Sequence, residues 1–334
     1  MNQISFRQSK DKTRYFLILA FLICLTLLNI YGLLTYNNPV PIDSPSFLPV
    51  VKRRQNSIIA MLIAATCQAL ATLIFQSVTN NKIITPSLLG FEAIYSTINT
   101  STMYFLGVTA FTAMTGMTYY ISQILIMVIV SVALFSSILS SNRNIDFLLL
   151  VGIILGQGLR SISAFMRRLL SPSEFDVLQA KLFASVNNAD SSYFLVSAII
   201  VFIVAFIIFA NAKKLDVLSL GEAVSTNLGL DYKKSTILAL IVVSILMSVS
   251  TALIGPMNFF GFLVVSLTYE FCKSYNHKYL LVMALVFAYF IITLAYFVMN
   301  HIFNANGVVS ILIELVGGLF FLLVIFRRRS EWLK

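Results

Sequence analysis

The chain has 334 residues, 59% hydrophobic and only 11% charged, with a mean hydropathy of +0.91 and a formal net charge of +10. Soluble domains carry about 25% charged residues, so an ordinary water-soluble fold is excluded. The basic residues flank apolar runs instead of forming a polar patch, which reads as orientation in a membrane and argues against a nucleic-acid partner.

A helix needs about 20 residues to cross roughly 30 Å of hydrocarbon. No sustained period-two alternation points to a β-barrel. The fold class is therefore all-α, a polytopic membrane protein of about ten transmembrane helices. The first predicted span is 15–36, preceded by Arg7, Lys10, Lys12 and Arg14. It has no small-residue cleavage site and reads as a retained helix. "VVKRRQNS" then places Lys52, Arg53 and Arg54 ahead of span 57–78. Span 88–108 carries Glu92 and Asn99, with Glu92 expected in solvent at the cytoplasmic end. Spans 117–139 and 146–166 follow. The second of these holds Gln157 and Arg160 beside Gly156 and Gly158, either lining a pathway or tying helices together.

Between spans, residues 167–191 contain Ser171-Pro172-Ser173-Glu174, a helix-start pattern, and then Phe175, Val177, Leu178, Leu182 and Phe183. This predicts a short amphipathic helix lying at the outer surface. Span 192–211 leads to a half-polar segment, 213–234, too polar to cross a bilayer. Its apolar Leu220, Val224 and Leu228 are placed to lie on the membrane domain or in a groove of a soluble partner, or to belong to a passive linker helix. Gly221 offers a break and Gly229 a helix end. Spans 235–254, 257–272, 279–300 and 308–326 complete the chain. The last contains Glu314 ahead of Gly317-Gly318, as a pathway carboxylate or a helix–helix hydrogen-bonding group.

With ten spans both tails fall on one side. Sixteen of the 23 Lys and Arg residues then share that side, among them Lys82, Arg143, Lys213, Lys214, Lys233, Lys234, Lys273, Lys278, Arg327, Arg328, Arg329 and Lys334. The positive-inside rule makes it the cytoplasm. Lys52, Arg53 and Arg54 lie outside and go against that rule, either as a short basic cluster translocated regardless or because an acidic partner meets them there.

Enzyme chemistry is missing. His277 and His301 have no ligand-spaced carboxylate or cysteine and read as solvated loop residues, so no metal site is predicted. Cys24, Cys67 and Cys272 read as small buried thiols. There is no phosphate-binding loop and no nucleophile elbow. A conduit or receptor is favoured over an enzyme. A proton-coupled secondary transporter working through Glu92, Glu270 and Glu314 is the rival reading.

Four segments carry a resemblance. "LSLGEAVSTNLGLDYKKS" resembles the L-x-L-G-E-x-A-x-x-L-G cytoplasmic loop of permease subunits in the iron-siderophore and cobalamin (FecCD-type) ABC importers. "QSVTNNKIITPSLLGFEAIY" resembles that family's segment after the second span. "ALIGPMNFFGFLVVSLTYEFCKSYNHKYLL" is similar to its G-P-I-x-F-V-G segment with a following D-H-R-like element, and "NGVVSILIELVGGLFFLLVIFRRR" to its closing segment. Together they cover roughly residues 15 to 329. The chain departs from the pattern at Val265, Ser266 and Tyr269, at Gly317-Gly318-Leu319 and at Ile83-Ile84-Thr85-Pro86. These departures resemble a Gram-positive-type branch serving catechol or mixed siderophores more than cobalamin carriers.

The resemblance implies a type II ABC importer permease in a bacterial cell membrane. Ferric siderophore is the expected cargo, with haem or cobalamin as the alternative. It implies two cytoplasmic ATPase subunits that hold ATP and Mg, no cofactor on this chain, a second and related but different permease, and an extracellular substrate-binding lipoprotein. Leu220, Gly221, Glu222, Ala223, Val224, Leu228 and Gly229 would form the ATPase-coupling loop. Lys52, Arg53 and Arg54 would dock the binding protein. Gln157, Arg160 and Glu314 would line the path.

Overall fold

The computed structural model describes residues 9–36, 45, 47–140, 145–186, 189–303 and 309–332, and among these there are helices and turns but no strands. The helices are α1 (Ser9–Thr35), α2 (Phe47–Val78), α3 (Phe91–Ala113), α4 (Met117–Ser140), α5 (Ile145–Arg168), α6 (Pro172–Leu182), α7 (Phe194–Ala210), α8 (Ala212–Leu218), α9 (Glu222–Asn227), α10 (Tyr232–Ile254), α11 (Phe260–Phe271), α12 (His277–His301) and α13 (Val309–Trp332). Seven of them, α1, α2, α4, α5, α7, α10 and α12, are long and apolar enough to cross a membrane. A bilayer offers backbone groups no water, so helices that satisfy their own N–H and C=O groups are what such sequences form. α3, α11 and α13 coincide with the predicted spans 88–108, 257–272 and 308–326 but fall outside that set. α11 has only 12 residues, and α3 carries Glu92, Asn99 and a run of Ser and Thr. Of the basic residues used to orient the chain, Arg7, Arg143 and Lys334 lie outside the described residues.

α2 is the centre of the bundle. In its most apolar window 83% of residues are buried, against 22% in α1, so α2 is core and α1 faces lipid. The small residues Ala60, Ala64, Ala65, Ala69 and Ala71 let neighbouring helices approach closely, as intramembrane packing requires. α10, α12, α1, α11 and α7 surround it. Cys67 and Cys272 are buried as expected, but Cys24 is exposed on the lipid-facing α1.

The segment after α2 re-enters the domain. A 3-10 turn at Pro86–Leu89 ends in Gly90, whose φ of 95° is open to glycine and strained for other residues. A Cβ on Gly90 would lie 2.9 Å from the Cα of Gly156, the midpoint of α5, and Leu89 sits on Gly152. α3 therefore starts halfway along α5 and runs beside it. Thr97 donates to the Leu159 carbonyl at 3.3 Å and meets Ser163 Oγ at 2.9 Å, and Ser101 reaches Met166. This corrects the expectation for Glu92. It is 6% exposed inside the domain instead of lying in solvent at a helix end, because the turn carries the start of α3 to mid-depth.

α6 forms as predicted. Ser171 Oγ accepts from the Glu174 backbone and Glu174 Oε2 accepts from the Ser171 backbone at 3.0 Å, a complete capping box. Its hydrogen bonds with Ser171 hold the Glu174 carboxyl below the usual carboxylate range. Leu178 and Leu182 are buried with Ile94, Tyr95, Met103, Phe111 and Met127, so α3, not lipid, covers the apolar side of α6. The chain beyond α6 is pinned by Ser185 N–H donating to the Ile254 carbonyl at 2.8 Å and by Val186 N–H donating to Tyr296 Oη at 3.1 Å.

Candidate functional site

The mid-depth start of α3, the C-terminal half of α5, the end of α6, the α10–α11 connection and the start of α13 border an open cleft of about 340 Å³. Arg160 and Arg167 from α5, Glu92 from α3, Gln179 from α6, Asn258 and Glu314 line it. Asn258 Nδ2 donates to Glu314 Oε1 at 2.8 Å. Glu92 Oε1 has no hydrogen-bond partner. Among the described residues, no ion pair joins either cavity arginine to Glu92 or Glu314. Ionisable groups inside a membrane domain are costly and usually face a bundle interior or a water-filled space.

A second cavity, of about 320 Å³, lies on the other side of Arg160. Ile83, Thr85, Ser87 and Leu88 of the re-entrant turn line it with Phe259, Phe262 and Phe321. Arg160 and Asn258 border both spaces. We call this shared border of Arg160 and Asn258 the neck; Phe259, Phe262 and Phe321 wall the second space. Of the three predicted path residues, Arg160 stands at the neck and Glu314 lines the first cavity. Gln157 is exposed on α5 and lines neither. Sequence reasoning missed Arg167, Asn258 and the true place of Glu92. The available signal was Gly152 and Gly156, four residues apart, which marks a close backbone approach at the middle of α5.

At the far end of the bundle, α8 and α9 form an elbow. Gly221, with φ 89°, separates the two helices, as the sequence predicted. Ser225 is buried and donates to the Val217 carbonyl at 2.8 Å, folding α9 onto α8. Leu220, Val224 and Leu228 are 53%, 45% and 62% exposed. They do not lie on the membrane domain; this excludes one of the alternatives left open by the sequence and leaves an apolar stripe available to a partner. Glu222, Ala223 and Gly229 are exposed beside them. Asp231 caps α10 by accepting from Lys234 N–H at 3.1 Å, which holds its carboxyl below the usual range.

His277 is not the solvated residue expected. It is 3% exposed and bonded to Asp216 and Ser77. His301 is half-buried, its ring 5.0 Å from that of Tyr36 and 4.7 Å from that of Phe297. Lys52 and Arg53 are exposed on the first turns of α2. Arg54 Nη1 donates to the carbonyls of Leu33, Leu34 and Tyr36 at 3.1, 3.2 and 3.0 Å, and so caps the end of α1.

Residues 13–327 match the model of the FecCD transport family. The chain belongs to that family. The FecCD assignment is supported by a protein 54% identical over 98% of this chain and 92% of its own length, the petrobactin import system permease protein FatC of Bacillus anthracis. A second relative, the petrobactin import system permease protein YclO of Bacillus subtilis, is 37% identical over 84% of this chain and 89% of its own. In fold, this FecCD chain is similar to a solved metal-chelate type ABC transporter in an inward-facing conformation, with a TM-score of 0.80, 20% identity, and coverage of 93% of this chain and 99% of that one. Family and fold agree with the expected ABC importer permease subunit.

Proposed function

We propose that this FecCD chain is one permease of an ATP-driven importer of a ferric siderophore, with petrobactin the first cargo to test. The observation that carries this reading is the 54% identity to FatC across almost the whole of both chains. The chain crosses a bacterial cell membrane ten times with both termini in the cytoplasm, α3 crossing only the outer half from its mid-depth start. The cargo passes the neck at Arg160, where a guanidinium suits the acidic oxygens of an iron chelate. Lipid covers α1 and α7. A second, related permease covers the exposed apolar residues of α5 and α13, among them Ile154, Ile162, Leu315 and Leu319, and Gln157 faces it.

The elbow of α8 and α9 is the contact for a cytoplasmic ATPase, with Leu220, Val224 and Leu228 seated in its groove. Two such ATPases bind ATP and Mg, and this chain holds neither. Outside, Lys52 and Arg53 meet acidic residues of a substrate-binding lipoprotein, while Arg54 fixes α1 and the frame around them. The test is uptake of ferric petrobactin into proteoliposomes containing both permeases, both ATPases and the binding protein. ATP-dependent accumulation is expected. Uphill transport by this chain alone, or accumulation of haem or cobalamin with petrobactin refused, would overturn the reading.

A further inference from the structure

One imidazole ring makes a polar link between the elbow and the bundle. His277 is the first residue of α12. Its Nδ1 lies 2.7 Å from Asp216 Oδ1 on α8, and its backbone N–H donates to the same oxygen at 2.7 Å. On the other edge of the ring, Nε2 lies 2.7 Å from Ser77 Oγ in the last turn of α2. Ser77 Oγ in turn donates to the Leu73 carbonyl at 2.8 Å. A continuous polar chain thus runs from α8 through α12 into α2, across sequence separations of 61 and 200 residues.

α8 also packs against α2, α7, α10 and α12. It has seven residues and buries only Ala212, Leu215 and Leu218. α9 buries only Ser225. Helices this short have no stability of their own and take their orientation from tertiary contacts. Hydrogen bonds accepted by a carboxylate are about twice as strong as neutral ones, and they are directional where apolar contacts are not. The link therefore sets the angle of the elbow as well as its attachment. Beyond the ring, α2 and α12 both pack on α11. α11 begins at Phe260, two residues after Asn258 at the neck between the cavities.

We propose that Asp216, His277 and Ser77 form the strut through which motion of the elbow enters α2 and α12 and, through α11, the neck. They are positioning residues for coupling and touch neither cargo nor nucleotide. This rests on the reading of the elbow as the ATPase contact. A strut and a mere anchor differ in what their removal does. Loss of an anchor lowers assembly, hydrolysis and transport together. Loss of a strut leaves hydrolysis and assembly standing and lowers the cargo moved per ATP.

The experiment uses the assembled importer with both permeases and ATPases. Asp216→Ala, Ser77→Ala and the conservative Asp216→Asn are compared with wild type. Iron imported per ATP hydrolysed, with ferric petrobactin as the probe, is expected to fall about tenfold in Asp216→Ala, with thermal stability and ATPase rate within about twofold of wild type. Asp216→Asn keeps an acceptor oxygen and recovers part of the ratio. A second readout needs no cargo: the ATP-dependent change in hydrogen exchange over residues 260–271, present in wild type and lost in Asp216→Ala. An unchanged ratio, a fall in hydrolysis that matches the fall in uptake, or no ATP-dependent change over 260–271 in wild type would each overturn the strut. If wild type shows that exchange change but refuses ferric petrobactin, the cargo assignment fails and the strut is judged on exchange alone; if Asp216→Ala does not assemble, Ser77→Ala and Asp216→Asn decide.

Discussion

Placing an alanine at Gly90 tests the re-entrant turn that brings Glu92 to the cavity. Two effects act there. The φ of 95° disfavours any L side chain, at about 1–2 kcal/mol. The new Cβ would also stand 2.9 Å from the backbone of Gly156, and overpacking against atoms that cannot rotate away costs about 1–3 kcal/mol more. The expected loss is therefore about 2–5 kcal/mol. Gly107 separates the two effects, since its φ is 75° but a Cβ there meets nothing within 4 Å. Gly107→Ala should lose only the backbone share, about 1–3 kcal/mol, because its ψ of 174° places it in a region essentially reserved for glycine. Gly158→Ala, helical and unobstructed, should be neutral or slightly stabilising. Equilibrium unfolding in mixed micelles gives the three values, and uptake in the assembled importer shows whether the cavity survives. No loss at Gly90 beyond that of the neutral Gly158→Ala would refute the turn's seat on α5 and with it the depth assigned to Glu92.

Arg54→Ala removes three carbonyl bonds at the end of α1 and should lower stability by about 1–3 kcal/mol in the same unfolding assay. Lys52→Glu with Arg53→Glu should leave stability unchanged and weaken binding-protein docking at low salt, an effect that fades by 0.5 M salt as screening takes over, on the order of a 4 Å Debye length. Leu228→Asp, on the exposed elbow, should abolish co-purification of the ATPase while the permease unfolds as wild type does. Arg160→Ala should slow uptake of an anionic chelate at least about tenfold with assembly intact, since a charged contact is lost at the neck. The Asp231 cap should hold above the ordinary carboxylate range, near pH 4, and fade as pH falls through its lowered value; exchange of the Lys234 amide reports it.

Hydrophobic run length made the long apolar helices legible, but not where they end: α2 begins at Phe47, well ahead of the predicted span 57–78, because its polar first turns belong to the same helix. The elbow was legible too, since a half-polar stretch with Leu220, Val224 and Leu228 on one side cannot be a span. Local pattern failed where a residue's setting is fixed by a distant chain. Glu92 looks like a helix-end carboxylate until Gly90 meets Gly156; the Gly152 and Gly156 pair hints at a close approach on α5 but does not name its partner. His277 looks like a loop histidine because its partners are far away in sequence. The three arginine bonds to the end of α1 show the same limit. Arg54 was read as one of three equivalent basic residues, yet its neighbour across the fold, not its sequence context, decides its task.

α2 is 32 residues long, about 48 Å at helical rise, well beyond the hydrocarbon thickness of a bilayer. Arg54 marks the level where α1 ends, so the seven residues before it project as a rigid post about 10 Å tall. Lys52 and Arg53 therefore sit on a stiff mast continuous with the most buried helix of the bundle. In the reading proposed above, a binding protein settling on that mast would press on the core of the bundle directly, with no loop between.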